Sequence, residues 1–284
     1  MKISCSVPIL TLNSRKTLGR LLPILSAAFD DVFIVDGNST DGTEDYARSL
    51  GVRVEKQFDH DVPDSRITHF ANMRERSWGM AHHDWIFWID ADEIPGTLIL
   101  ERVNEIVQEG KTHELHAFLR KTQLPNGNVV EHALYYPEYV PRLFRKTSGL
   151  HLVDRAVHEK FAIPPNVNLV RHDEALYAPW GTAEEMWKRQ SIYVELDSVA
   201  DEGTAAHLLR WIILYNLRSL LGQTVRAIRA TLIGFLRRET ALPWAYNWSF
   251  LRYRVSRMHK GTIVWSHRRH RAGSEKSAET PRVG

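Results

Sequence analysis

A single cysteine in 284 residues leaves no possibility of an internal disulfide or of a zinc site built from several cysteines. Cys5 lies near the start of an apolar run and reads as a buried thiol in a reducing compartment. Neither charge is in excess: 37 Lys and Arg stand against 34 Asp and Glu, a net charge of +3. No run of about 18 apolar residues free of charge occurs, so a membrane-spanning helix is not expected. The opening MKISCSVPILTLNS is cut by Pro8 and lacks a small-residue cleavage site, so no secretory signal is expected. Internal repeats are absent. What is present is an ordinary globular balance, 43% hydrophobic and 25% charged, enough apolar side chains for a sizeable core.

Over the first hundred residues, apolar runs alternate with amphipathic stretches. Residues 3–12, 32–35, 52–57 and 85–89 read as strands, and 17–29, 44–50, 66–81 and 97–107 as helices. This β-α-β alternation predicts an α/β fold with a mostly parallel sheet and helices on both faces. From residue 115 the pattern changes to two strands around an Asn126-Gly127 turn, short segments PRLFRK and AVHEKF, and a helix over 183–199. Beyond 204 come long helices rich in Leu, Ile, Trp and Arg. The last stretch, 263–284, is basic, then polar, and is expected without structure.

Ligands of open α/β sheets bind beyond the carboxyl ends of the strands. That selects TLNS, DGNSTDGT and DADE. In DADE, Asp90 and Asp92 follow the apolar WIFWI directly. Two carboxylates at this spacing can address a sugar hydroxyl and a hard divalent cation, which prefers oxygen ligands and commonly bridges to phosphates. Glu93 and Pro95 suggest a helix start nearby. Asp36, on a strand end, can accept a hydrogen bond from a nucleobase, and Ser39, Thr40 and Asp41 can cap the following helix.

SVPILTLNS, IVDGNSTDGT and WIFWIDADE in this order resemble the nucleotide-sugar half of the family 2 glycosyltransferases, which have a GT-A type, Rossmann-like fold. HFANMRERSW before the aspartate motif is similar to the group acting on bacterial lipopolysaccharide core and other surface glycans. The resemblance covers about residues 1–200. It implies a nucleotide-sugar donor, Mg²⁺ or Mn²⁺, and inversion at the anomeric carbon. It places Thr11, Asn13 and Asp36 around the base and ribose, Arg74 at the base or a phosphate, Asp90 at the ribose or sugar, and Asp92 on the metal. Gly37 stands where the family often has a second aspartate. An inverting transfer needs a base for the acceptor hydroxyl; AVHEKF supplies Glu159, with Asp154 as the alternative. His172, before a helix carrying WKRQSIY, would complete the metal shell. Arg142, Arg145 and Lys146 of PRLFRK are left outside the site.

The expected organisation is a catalytic domain over 1–203, with a nucleotide-sugar half to about 110 and an acceptor half from 111. A helical arm over 204–262 and the tail over 263–284 follow. Between Ala205 and Arg238 there is no Asp or Glu. A broad Leu/Ile face with Trp, Tyr and recurring Arg fits a helix lying on an anionic membrane surface; packing within the protein or a homo-oligomer is the alternative. The expectation is therefore an inverting, metal-dependent glycosyltransferase, cytoplasmic and peripheral on the inner face of the membrane, acting on a glycan or lipid-linked acceptor. Nucleic acid is not an expected partner. Transfer to polyprenyl phosphate is a variant. A sugar nucleotidyltransferase would show a Gly-rich GxGxR-type loop after the first strand, which TLNSRKT lacks. A non-catalytic nucleotide-sugar binder would show no turnover.

Overall fold

The computed structural model describes residues 2–153, 160–196 and 209–278. The chain divides into two units, one of Met1–Thr122 with Pro137–Pro179, the other of Gln123–Tyr136 with Trp180–Gly284.

The first unit is built on strands β1 (Ile3–Thr11), β2 (Phe29–Asp36), β3 (Arg53–Lys56), β4 (Trp85–Phe87), β5 (Ile94–Pro95), β6 (Glu114–Gln123), β7 (Tyr139–Arg145) and β10 (Asn168–Pro179), in the order β3-β2-β1-β4-β7-β6-β10-β5. Strands β8 (His151–Leu152) and β9 (Phe161–Ala162) form a separate two-stranded ladder. The four strands β3-β2-β1-β4 are parallel. β7 then runs antiparallel to both β4 and β6, and β5 antiparallel to β10. The sheet is thus mixed, its parallel half being the part whose strands alternate with helices in the sequence.

Those helices are α1 (Arg15–Ala28), α2 (Thr43–Ser49), α3 (Phe70–Gly79) and α4 (Thr97–Glu109). Alternation along the buried strands distributes them between two faces. Trp85, Phe87 and Ile89 join one core with Leu18, Leu21, Leu22 and Leu25 of α1 and Ile99, Val103 and Ile106 of α4. The intervening Ile86 and Trp88 join the other with Phe33, Val35, and Ala71 and Trp78 of α3. Cys5 is fully buried, and burial raises its thiol pKa well above the ordinary value. The helix expected from 66 begins at Phe70, because the His69 ring accepts the backbone N–H of Asn72 and caps it there.

The second unit draws in more of the chain than the expected arm. The turn at Asn126-Gly127 forms, with Gly127 at φ 86° and Leu124 N–H donating to Asn128 O. Beyond an isolated bridge between Gln123 and Val129, however, its second arm does not become a strand. Leu124, Val130 and Ala133 instead pack with Leu242 and Tyr246. Helix α5 (Ala183–Leu196) opens on a reciprocal cap: Glu185 accepts from Thr182 N–H, and Thr182 Oγ1 from Glu185 N–H. A π-helical stretch over Trp211–Leu217 continues as α6 (Arg218–Arg237), which precedes α7 (Trp244–Ala278). Where the sequence suggested a boundary at 203, 123–136 and α5 group with the second unit: Leu124, Val130 and Ala133 are buried there, and Ala183 and Met186 of α5 pack partly buried against the same cluster. The stretch from 263, expected without structure, is helical through Ala278; it contains no proline before Pro281 to stop the helix.

Candidate active site

β1 lies between β2 and β4, so the chain leaves it in two directions. A crevice at the carboxyl ends of such strands is the usual ligand position of this architecture. Two clusters of polar side chains occupy these ends.

The first knits three loops together at the ends of β1, β2 and β3. Asp36 is fully buried. Its Oδ1 accepts from Thr11 Oγ1 and Ser39 Oγ at 2.7 Å each, and its Oδ2 from Ser39 N–H at 2.7 Å. Asn13, at φ 50°, accepts from Thr40 N–H and donates to Asp64, both at 3.0 Å. Gln57 donates to the carbonyls of Thr11 and Val35. Thr11 and Asp36 are hydrogen-bonded directly, and Asn13 joins the same loops through Ser39 and Thr40. Their side chains hold the loops in place, and Asp36 presents no surface of its own.

The second cluster surrounds DADE. Asp90 Oδ1 receives Arg74 Nη2 at 2.5 Å and Oδ2 receives Arg142 Nη2 at 2.8 Å. Arg142 also reaches both oxygens of Glu93, at 2.7 and 3.1 Å. Arg120 approaches Glu93 at 3.6 Å and is held by Glu138 through two bonds of 2.7 and 3.0 Å. Arg74 and Arg142 lie over the Trp88 ring, 4.0 and 4.4 Å from its centroid. Burial alone would raise the Asp90 carboxyl; the charges of Arg74 and Arg142 outweigh it and hold the group well below the ordinary carboxylate range. For Glu93 burial prevails, with the Asp90 charge adding to it, and its pKa rises despite Arg142. Glu93 does not start a helix. It closes the turn from within, accepting Asp90 N–H at 3.1 Å and donating its own N–H to Asp90 O, while α4 begins at Thr97.

Arg74, Trp88, Asp90, Arg120, Arg142 and Lys160 line a cavity of about 420 Å³. Arg120, Arg142 and Glu93 were not assigned to the site from sequence. For Arg142 a signal existed: it stands two residues before Phe144, on the same strand face as that core side chain. Asp92 is exposed on the turn. Glu159 and Asp154 lie outside the described residues.

His172, expected to complete the metal shell, packs against another histidine. It sits on β10, its Nε2 3.0 Å from Nδ1 of buried His116, with its ring stacked on Phe118. Ile94 pairs with Tyr177, so Asp92 lies on the side of Tyr177 away from His172. Five residues of strand separate His172 from Tyr177, about 16 Å at 3.3 Å per residue. Among the described residues no group of three or more His, Cys, Asp or Glu side chains is placed to hold a metal ion. Desolvation lowers the His172 pKa. It lowers that of His116 to about 3, with the charges of His172 and Lys111 adding to the effect.

The DADE turn thus follows the last of the parallel strands in the sequence, on a mixed sheet whose parallel half carries the helices. The chain belongs to glycosyl transferase family 2, whose family profile matches residues 6–151. Among solved structures it is similar to TarS of S. aureus, at 18% identity and a TM-score of 0.41 over 75% of this chain and 43% of that one. It is also similar to glucosyl-3-phosphoglycerate synthase from Mycobacterium tuberculosis. That protein in complex with Mg²⁺ and uridine-diphosphate matches at 17% identity and a TM-score of 0.41, over 67% of this chain and 77% of that one. In complex with Mn²⁺, uridine-diphosphate and phosphoglyceric acid it matches at 18% identity and a TM-score of 0.42, over 67% and 76%. The chain spans less than half the length of TarS.

Proposed function

We propose that the chain transfers a sugar from a nucleotide sugar to a hydroxyl of a lipid-linked or lipopolysaccharide-type glycan, with inversion, at the inner face of the membrane. The observation that carries the donor site is the DADE turn, with Asp90 locked between Arg74 and Arg142 beside the 420 Å³ cavity, in a chain of this family. In the reaction a bond forms between the acceptor oxygen and the anomeric carbon as the bond from that carbon to the diphosphate breaks. Glu159 takes the acceptor proton. That assignment rests on the AVHEKF motif. Arg74 and Arg142, fixed by Asp90 and Glu93, direct positive charge at the cavity where the leaving diphosphate gathers negative charge. Thr11, Asn13 and Asp36 shape the loops of the base and ribose pocket.

A divalent cation fits one residue, the exposed Asp92. Mg²⁺ is commonly held by one or two carboxylates and substrate phosphates rather than by a full protein cage, so the lack of a three-residue centre among the described residues accords with it. Such a cation would neutralise charge on the departing diphosphate. The test is a screen of nucleotide sugars for thermal stabilisation and slow hydrolysis, with and without Mn²⁺. One nucleotide sugar should stabilise the protein, by roughly 2.7 kcal/mol at about 100 times its dissociation constant. Asp92→Asn should keep the fold and lose the Mn²⁺-dependent part of both signals. Full hydrolysis by this variant, or in excess chelator, would remove the metal from the scheme.

A further inference from the structure

Helix α6 of the second unit presents an apolar stripe to solvent. Leu221, Val225, Ile228, Leu232 and Phe235 recur at alternating steps of four and three residues, which places them on one side of the helix. Each is exposed, Phe235 to 81%, with Leu236 beside it at 77%. The opposite side is the packed one, where Gln223, Ala227 and Gly234 are buried. Isolated exposed apolar residues are ordinary, but a continuous stripe of this kind marks a surface that meets something.

The charges beside the stripe decide between occupants. At 3.6 residues per turn, Arg218 and Arg229 fall on one flank, both exposed, and Arg237 and Arg238 follow at the end. No Asp or Glu occurs between Ala205 and Arg238. A second copy docked stripe to stripe would offer these arginines only more arginine from the same helix. Anionic headgroups offer the opposite charge beside an apolar layer. A crossing helix is not the form of attachment: no helix among the described residues is long and apolar enough to span a membrane. At 1.5 Å per residue the 20 residues of α6 would lie flat over about 30 Å. Soon after it, Trp244 and Trp248 at the start of α7 are exposed to 45% and 62%, the residue type favoured at the membrane–water boundary.

We infer that the Leu221–Phe235 face of α6 is a docking surface for an anionic lipid bilayer, inserted in the plane of the headgroups with Arg218 and Arg229 toward the lipid phosphates. This deepens the proposed lipid-linked acceptor and rests on that reading for its purpose. The binding itself is measured without donor or acceptor.

The experiment is flotation of the full chain with vesicles of phosphatidylcholine alone and with vesicles that also contain phosphatidylglycerol. The chain should float with the second kind far more than with the first, and raised salt should release only part of it. Val225→Ser combined with Phe235→Ser should abolish flotation at unchanged melting temperature, since both side chains are exposed. Arg218→Gln with Arg229→Gln should weaken binding to the anionic vesicles by roughly thirtyfold, at about 1 kcal/mol per basic residue. The inference is overturned if the wild-type chain does not float, or if the serine variant floats as well as wild type. It is also overturned if the chain runs as a discrete dimer that the serine changes dissociate, for then a second copy covers the face. Loss of nucleotide-sugar hydrolysis with flotation intact would count against the transferase reading alone.

Discussion

Each carboxylate of the DADE turn takes its character from its surroundings. Asp90 and Glu93 are three residues apart, yet guanidinium charge dominates one and desolvation the other. Their joint contacts with Arg142 make that arginine the centre of a network in which removal of one member leaves a buried charge uncompensated. The histidine pair gives a residue-scale prediction of a different kind. Burial lowers the pKa of both His116 and His172, that of His116 to about 3. The unfolded chain, with ordinary histidines near 6.5, binds protons that the folded protein excludes. For His116 stability is therefore complete above about pH 6.5 and falls as the pH drops toward 3, at no more than about 1.4 kcal/mol per pH unit. Urea unfolding between pH 7 and 5 should show this slope, and His116→Phe should flatten it. An unchanged slope in the variant would mean that His116 titrates in the folded protein.

The loop knot at the ends of β1, β2 and β3 explains one departure from the family pattern. Gly37 stands where a second aspartate is common. Its N–H donates to Thr11 O and its carbonyl accepts from Ser65 N–H at 2.8 Å. A Cβ placed there would lie 2.6 Å from Ser65 O and 3.0 Å from Gln57 Oε1, so a side chain at 37 displaces the segment that follows β3. Gly37→Asp should cost about 1–3 kcal/mol, the usual range for overpacking. A thermal melt reads this directly, and a melting temperature equal to wild type would show that the 58–65 segment yields freely.

At the scale of the whole chain, the second unit cannot be trimmed away at 203. Val130 is fully buried, and Leu124 and Ala133 nearly so, in a cluster with Leu242 and Tyr246. Arg226 donates to Leu134 O, and Tyr246 Oη to Gly181 O. A chain ending at 203 keeps 123–136 and loses what covers it, exposing side chains worth about 1.5–3 kcal/mol each when buried. It should aggregate or express poorly, whereas the full chain carrying serines on α6 should stay soluble. Recovery of a monodisperse 1–203 fragment with a wild-type melting temperature would contradict this partition.

The parallel half of the fold and the three strand-end motifs were legible in the sequence because both are local. Apolar runs of strand length, amphipathic helices between them and polar turns at their ends follow from neighbouring residues alone. TLNS, DGNSTDGT and DADE accordingly stand at the strand ends where they were expected. Partnership across the sheet is not local. Only the register of β5 on β10 separates His172 from Asp92. Only the return of β7 beside β4 brings Arg142, 52 residues away in sequence, onto Asp90. The 123–136 segment reads as a hairpin by its turn, and its place in the second unit depends on apolar partners more than a hundred residues later. Composition showed that α6 lacks acids; which of its faces stays uncovered was decided by the packing of Gln223, Ala227 and Gly234 on the other side.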